Sequence, residues 1–242
     1  MFDEFIMTLV KIKHGLTGRF VADIFGVSNT VVTKIFVTWT AFLAREMQYL
    51  IHWPSRDQIK SCLPKCFKNY PNTRVIIDCT EFQVEKSKTP TAQIQTWSEY
   101  KQRNTLKCLV GISPSGAFTF ISKLWSGNVS DKELTKKCGI LDLLEAGDDI
   151  MADRGFTIRD YCTERGCTLN IPPFSKGKPL SSKQVTKTRR IASSRIHVER
   201  AIERLKNFFF LQKVIPLKVK HTIVNVVMIC AAICNLYPKL AK

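Results

Sequence analysis

The sequence predicts an α/β fold, a mixed sheet flanked by helices, preceded by an all-helical region. Three observations predict it. Short apolar runs bounded by polar residues, Val75-Ile76-Ile77 and Ile150-Met151-Ala152, read as buried strands. Apolar residues recur at helical spacing between and after these runs. The first fifty residues contain helical patterns throughout and no strand run. With 242 residues, the chain can hold one large core or a core with a small satellite.

The elements follow in order. Phe2, Phe5, Ile6, Leu9, Val10 and Ile12 suit an amphipathic helix stopped near Gly15. A second helix is expected from about Thr17 to Phe25. After the break Gly26-Val27-Ser28 a third runs from Asn29 to about Ala44, with Ser28 as its N-cap. Small Ala22, Gly26 in the turn and apolar Val32 are the spacing of a helix-turn-helix, whose second helix would present Asn29, Thr30, Thr33 and Lys34 to a DNA groove. A helical hairpin that packs on the core would carry the same pattern. Pro54, Pro64 and Pro71 mark residues 53–73 as a linker between a region at 1–52 and a domain at 74–242. Strands are expected at Arg74–Asp78, Leu106–Ser113 and Ala117–Trp125, the last two joined by the turn Pro114-Ser115-Gly116. A helix from Asp131 to about Glu145, a strand at Asp149–Asp153, a helix at Thr157–Arg165 and a strand at Thr168–Ile171 come next. A helix carrying Glu199 and a buried C-terminal helix ending near Tyr237-Pro238 complete the chain.

Charge narrows the function. Lys and Arg total 37 against 20 Asp and Glu, a formal net charge of +17. A mean hydropathy near zero with so basic a surface points to a polyanionic partner, most commonly nucleic acid. The nine cysteines form no zinc-ligand spacing and read as reduced thiols. The longest apolar stretch, Ile223 to Ile233, is too short to span a bilayer, so no membrane partner is expected.

Three acids stand out. Asp78 and Asp153 each follow a predicted strand, and functional groups gather outside the carboxyl ends of strands in open α/β sheets. Glu199 lies on a helix. Such carboxylates could hold a pair of hard cations, since Mg²⁺ uses carboxylates together with substrate phosphates. Each acid also has an ordinary reading: a turn residue, a helix cap, a partner for Arg195. Glu81 is a further acid nearby. Glu199 and Glu203 form one i, i+4 stripe and Arg200 and Arg204 another, suiting cations on the first and phosphates on the second. Arg195 and Lys206 could instead neutralise the acidic stripe. His197, two residues before Glu199, points to another face and reads as a structural residue or a phosphate contact rather than a metal ligand. Residues 175–198 contain no acid and carry Lys176, Lys178, Lys183, Lys187, Arg189, Arg190 and Arg195, a run that would hold phosphates beside the carboxylates or form a solvated face.

Together these residues resemble a known family. Asp78-Cys-Thr-Glu81, Ala152-Asp-Arg-Gly-Phe156 and His197-Val-Glu-Arg200 are similar to the three acidic motifs of DDE transposases of the PIF/Harbinger-like group. The blocks Trp97–Lys107 and Gly127–Thr135 resemble that group's intervening segments. The resemblance implies an RNase H-like five-stranded mixed sheet, with Asp78, Asp153 and Glu199 as catalytic residues binding two Mg²⁺ (or Mn²⁺) ions. It implies cleavage of double-stranded DNA at transposon ends, transfer of the 3′-hydroxyl strand, a homo-oligomer on paired ends and residence in the nucleus. Relatives often carry a further DNA-binding region before the helix-turn-helix, and this chain starts almost at the latter, as a truncated or repurposed copy would. The alternatives are a domesticated, catalytically silent DNA-binding protein and a cellular nuclease.

Overall fold

The computed structural model describes residues 1–173 and 181–241. Three helices open the chain: α1 (Phe2–His14), α2 (Gly18–Phe25) and α3 (Asn29–Met47). Ser28 caps α3 as expected, and Thr17 caps α2 instead of starting it, their hydroxyls accepting from Val31 N and Phe20 N. Gly26 ends α2 at φ 64°, a left-handed conformation that glycine adopts without steric cost. The chain thereby turns by 102° between α2 and the helical stretch Asn29–Leu50, within the range of a helix-turn-helix. Met7, Val21, Ala22 and Val32 form its own small core.

α3 has a second role. Beyond Val32 it buries Phe36, Leu43 and Ala44 in the main core, together with Ile12 of α1. The helical region is thus packed onto the body through one long helix. Gly15 sits in the joint at φ 60°, and a Cβ there would lie 2.9 Å from the Phe209 carbonyl group. Left-handed backbone alone costs about 1–2 kcal/mol for an L-residue. Gly15→Ala is therefore expected to lower stability by at least that amount, read as a fall in Tm and in the urea midpoint.

The segment expected to be a linker contains a short helix, α4 (Arg56–Ser61), started by a capping box of Ser55 and Gln58. Then come β1 (Thr73–Gln83), α5 (Pro90–Thr96), β2 (Trp97–Ser98), β3 (Arg103–Ile112), β4 (Phe118–Ile121), β5 (Trp125–Ser126), α6 (Asp131–Lys137), β6 (Asp149–Met151), α7 (Arg159–Glu164), β7 (Thr168–Asn170), α8 (Ser182–Lys206) and α9 (Ile223–Asn235). The sheet runs β2-β3-β1-β6-β7, with β4 and β5 also paired to β3. β1 is antiparallel to β3 and parallel to β6, and β6 is parallel to β7. Seven strands take the place of the five expected, because β4 and β5 also pair antiparallel with β3. The mixed order, antiparallel around β3 and parallel from β1 to β7, with helices on both faces, is that of an RNase H-like fold, as expected.

One face carries Ile76, Phe82, Val110 and Met151 and is covered by α8, α9 and the end of α3. The other carries Val75, Ile77 and Leu109 under Leu134 of α6 and Cys162 of α7. The helical stretch Leu217–Asn235 is long and apolar enough to cross a bilayer, yet Val226, Val227, Ile229 and Cys230 on it lie in the main core. All nine cysteines are free thiols.

Several expected boundaries shift. β1 does not stop at Asp78 but continues to Gln83, because its second half pairs with β3 from Asp78↔Val110 to Gln83↔Thr105. The strand expected at Ala117–Trp125 divides into β4 and β5. The helix expected from Asp131 to Glu145 ends at Lys137, since Gly139 at φ 87° breaks it. The basic run from Lys183 to Arg190 lies on α8, whose N-cap Ser181 forms a second capping box with Gln184.

Candidate active site

Register brings the two aspartates level. β1 and β6 run parallel, and their last pair is Ile76↔Met151. Asp78 and Asp153 each lie two residues further on, so both point to the face of Ile76 and Met151, toward α8. The strands separate there, opening a cavity of about 490 Å³. Helix α8 completes it. Its buried stripe of Ile191, Ser194, Val198, Ala201 and Leu205 seats it on the sheet. Arg195, Glu199, Ile202 and Lys206, at i, i+4, i+7 and i+11, then line the cavity. Three carboxylates from three distant segments thus face one cavity.

Their environments differ. Asp78 is desolvated, and burial raises its pKa to about 6. The backbone N–H of Cys79, 2.8 Å from its Oδ1, and the charge of Arg195 pull the other way, while Asp131 and Asp153 push it up. Asp153 is half exposed and accepts from Arg154 N at 2.7 Å. Its turn is fixed by Phe156 N donating to its carbonyl, with the Phe156 ring buried. Arg195 stands between the other two acids, its guanidinium 3.3 Å from Asp153 Oδ1 and 3.8 Å from Glu199 Oε1. The side chain of Arg195 is only 11% exposed.

The cavity contains residues whose roles here the sequence did not predict. Lys107 of β3, opposite Glu81 in register, reaches Asp131 Oδ1 at 3.2 Å and Glu81 Oε1 at 3.7 Å. Asp131, expected only to begin a helix, lines the cavity from the N-terminus of α6. Period-2 alternation puts Lys107 on the Leu109 face, opposite to Asp78, so its place in the cavity follows from its reach to Asp131 of α6 and not from the strand pattern. Tyr100 and Lys101 form the outer wall.

The remaining sequence-predicted residues divide into three groups. Asn29, Thr30, Thr33 and Lys34 are exposed on the first turns of α3, and the Asn29 amide leans against Gly18 of α2. Lys183, Lys187, Arg189, Arg190 and Arg200 are exposed along α8; Lys176 and Lys178 lie outside the described residues. Of the two roles open to Arg195, contact with the acids is the one seen here, its charge being turned inward onto Asp153 and Glu199. Glu203 lies outside the cavity, so the stripe that lines it is Arg195-Glu199-Ile202-Lys206 rather than Glu199-Glu203. His197 is buried, with Nε2 3.4 Å from Cys66 Sγ and burial lowering its pKa, in keeping with a structural place.

Hard divalent cations fit this donor set: three carboxylates, one of them desolvated without a full counter-charge and two of them clamped around a guanidinium. In the present arrangement no three Asp, Glu, His or Cys side chains among the described residues converge tightly enough to hold an ion. Arg195 holds Asp153 and Glu199 around itself, and Lys107 holds Glu81 and Asp131.

An RNase H-like sheet with clustered carboxylates, joined to a helix-turn-helix, defines a class of DNA-processing proteins. The family model of the DDE superfamily endonuclease matches residues 77–235, and that of the helix-turn-helix of DDE superfamily endonuclease matches residues 1–48. The chain belongs to the DDE superfamily endonucleases. Proteins of this family generally use divalent metal ions. No match to the chain was found among curated proteins or among solved structures.

Proposed function

We propose that this chain is a divalent-metal-dependent DNA endonuclease of transposase type, of the PIF/Harbinger-like group, with Asp78, Asp153 and Glu199 as its catalytic carboxylates. The observation that carries the reading is the common level of Asp78 and Asp153 at the mouth of the sheet, with Glu199 facing them from α8. Asp78, Asp153 and Glu199 would hold two Mg²⁺ or Mn²⁺ ions, which when bound supply an activated water or 3′-hydroxyl and charge stabilisation for the leaving oxygen.

The chain's own residues have separate tasks. Asp78 must be ionised to serve, and its raised pKa makes it the acid most dependent on neighbouring positive charge. Lys107 and Lys206 set positive charge at the walls, where phosphate oxygens of the substrate would lie. Burial and the nearby Lys101 lower the Lys206 pKa. Lys183, Lys187, Arg189, Arg190 and Arg200 extend a basic track from the cavity along α8, suited to the phosphate backbone. The exposed N-terminal turns of α3 would enter the major groove, as recognition helices do. Cleavage at transposon ends with strand transfer, assembly of copies on paired ends and nuclear residence belong to the same proposal.

The test is nicking of duplex DNA by the purified chain with Mg²⁺ or Mn²⁺, beside Asp153→Ala. Loss of a single group that organises the reacting phosphate is expected to reduce nicking by at least ~100-fold. Equal nicking by both proteins would overturn the assignment. Salt-sensitive DNA binding with no nicking by either would favour the catalytically silent binding protein.

A further inference from the structure

A second cavity, of about 690 Å³, adjoins the carboxylate cavity and shares Tyr100 and Lys107 with it. Its walls are unusual for exposed surface. Ile94 and Tyr100 are 70% and 83% exposed, and Trp97 turns its ring to the same space. Lys86 supplies positive charge and Glu99 one negative charge, Lys107 at the shared wall is paired with Glu81 and Asp131, and the ammonium of Lys101 lies 4.3 Å from the Tyr100 ring centroid.

The aromatic wall is held in place. Ser98 is buried, its carbonyl accepts from Gln102 N at 2.8 Å and its hydroxyl from Lys101 N at 3.2 Å. Gln102 takes φ 52° to close the turn, and Tyr100 projects from its apex. The floor makes few demands of its own: the Asn104 amide is already satisfied by the Gln93 carbonyl and the Thr96 hydroxyl. Such a site offers π-faces and positive charge without a fixed donor-acceptor pattern, which is the chemistry of sequence-tolerant base stacking.

We propose that this cavity receives an unpaired nucleobase of the DNA strand that runs out of the carboxylate cavity, stacked by Trp97 and Tyr100. The inference rests on the endonuclease reading, since a phosphate held at Asp78, Asp153 and Glu199 places the adjoining nucleotide at the shared wall. The volume lies within the range of small-molecule sites and leaves room for a nucleotide. The substrate class is then DNA with frayed, extruded or single-stranded residues beside the cleaved bond. Fully paired duplex would leave the aromatic wall in water.

The experiment compares blunt duplex with the same duplex bearing a short unpaired tail, by fluorescence anisotropy in chelator so that cleavage plays no part. A 2-aminopurine in the tail reports stacking directly. The full chain is expected to prefer the tailed duplex by roughly 5- to 100-fold, the range of one stacked base, and to quench the 2-aminopurine. Tyr100→Ala and Trp97→Ala should bring the ratio to about one and restore the fluorescence, while Tyr100→Phe keeps both. Tyr100 is too exposed for its truncation to unfold the chain, and circular dichroism checks this for Trp97→Ala. Equal affinity for the two duplexes, or a preference and quench unchanged in both alanine variants, would overturn the proposal. Failure of the endonuclease reading shows separately: tail preference without metal-dependent nicking leaves this site standing and removes the chemistry beside it.

Discussion

Asp78→Asn is expected to be more stable than the parent chain at pH 7.5 in chelator, and to have lost metal-dependent nicking. The carboxyl of Asp78 is desolvated, with its pKa raised from 3.8 to about 6. Between about pH 4 and 6 the unfolded chain releases this proton before the folded one does, so folding takes up a proton and stability falls as pH rises. Above about 6 the penalty is complete, about 3 kcal/mol for a rise of this size. Asparagine keeps the acceptor that meets Cys79 N at 2.8 Å and carries no charge to desolvate. Urea unfolding should therefore show a difference near zero at pH 4 that grows to about 2–3 kcal/mol above pH 7. Mg²⁺ should narrow the gap by stabilising only the aspartate form. A variant less stable than the parent, or a difference flat with pH, would show that Asp78 is a structural acid. The expected trade of stability for activity is common where function requires a strained or uncompensated group.

Much of this site could be read without coordinates, and the omissions have physical causes. Asp78, Asp153 and Glu199 were visible because two of them directly follow apolar runs and the third lies on a helix behind a basic run. Their common level was not visible: it depends on the pairing Ile76↔Met151, and register between parallel strands separated by a long connection leaves no local trace. The second half of β1 was missed for a related reason. Cys79-Thr80-Glu81 reads as polar, yet Glu81 is matched across the ladder by Lys107, so the strand continues. Lys107 and Asp131 could not be assigned to the cavity from sequence, because each reaches it through tertiary contact. The packing of α1 and α3 into the main core is one that the helix-turn-helix pattern leaves open and does not decide. That pattern explains Val32 but says nothing of Phe36, Leu43 and Ala44.

Arg195→Gln separates two roles that the sequence left open. The guanidinium lies between Asp153 and Glu199, largely shielded from water, with its Nε buried and unpartnered among the described residues. It supplies the positive charge in direct contact with Asp153 and Glu199. Removing it leaves like charges facing one another, and because Asp153 and Glu199 are half exposed, water offsets part of the loss. In chelator the variant should be destabilised by about 1 kcal/mol. Mg²⁺ should then stabilise it more than the parent chain, since the ion no longer competes with a resident cation. An effective dissociation constant roughly tenfold lower, worth about 1.4 kcal/mol, is the expected scale in a thermal-shift titration. Arg195→Lys should fall between the two, keeping the charge but losing the fork that spans both acids. A residue whose business is the DNA backbone would behave differently. Its loss would weaken duplex binding and reduce the salt slope by about one, and the metal titration would match that of the parent. The buried guanidinium and its two carboxylate contacts favour the first outcome, in which Arg195 holds Asp153 and Glu199 together and a divalent ion would compete with it for them.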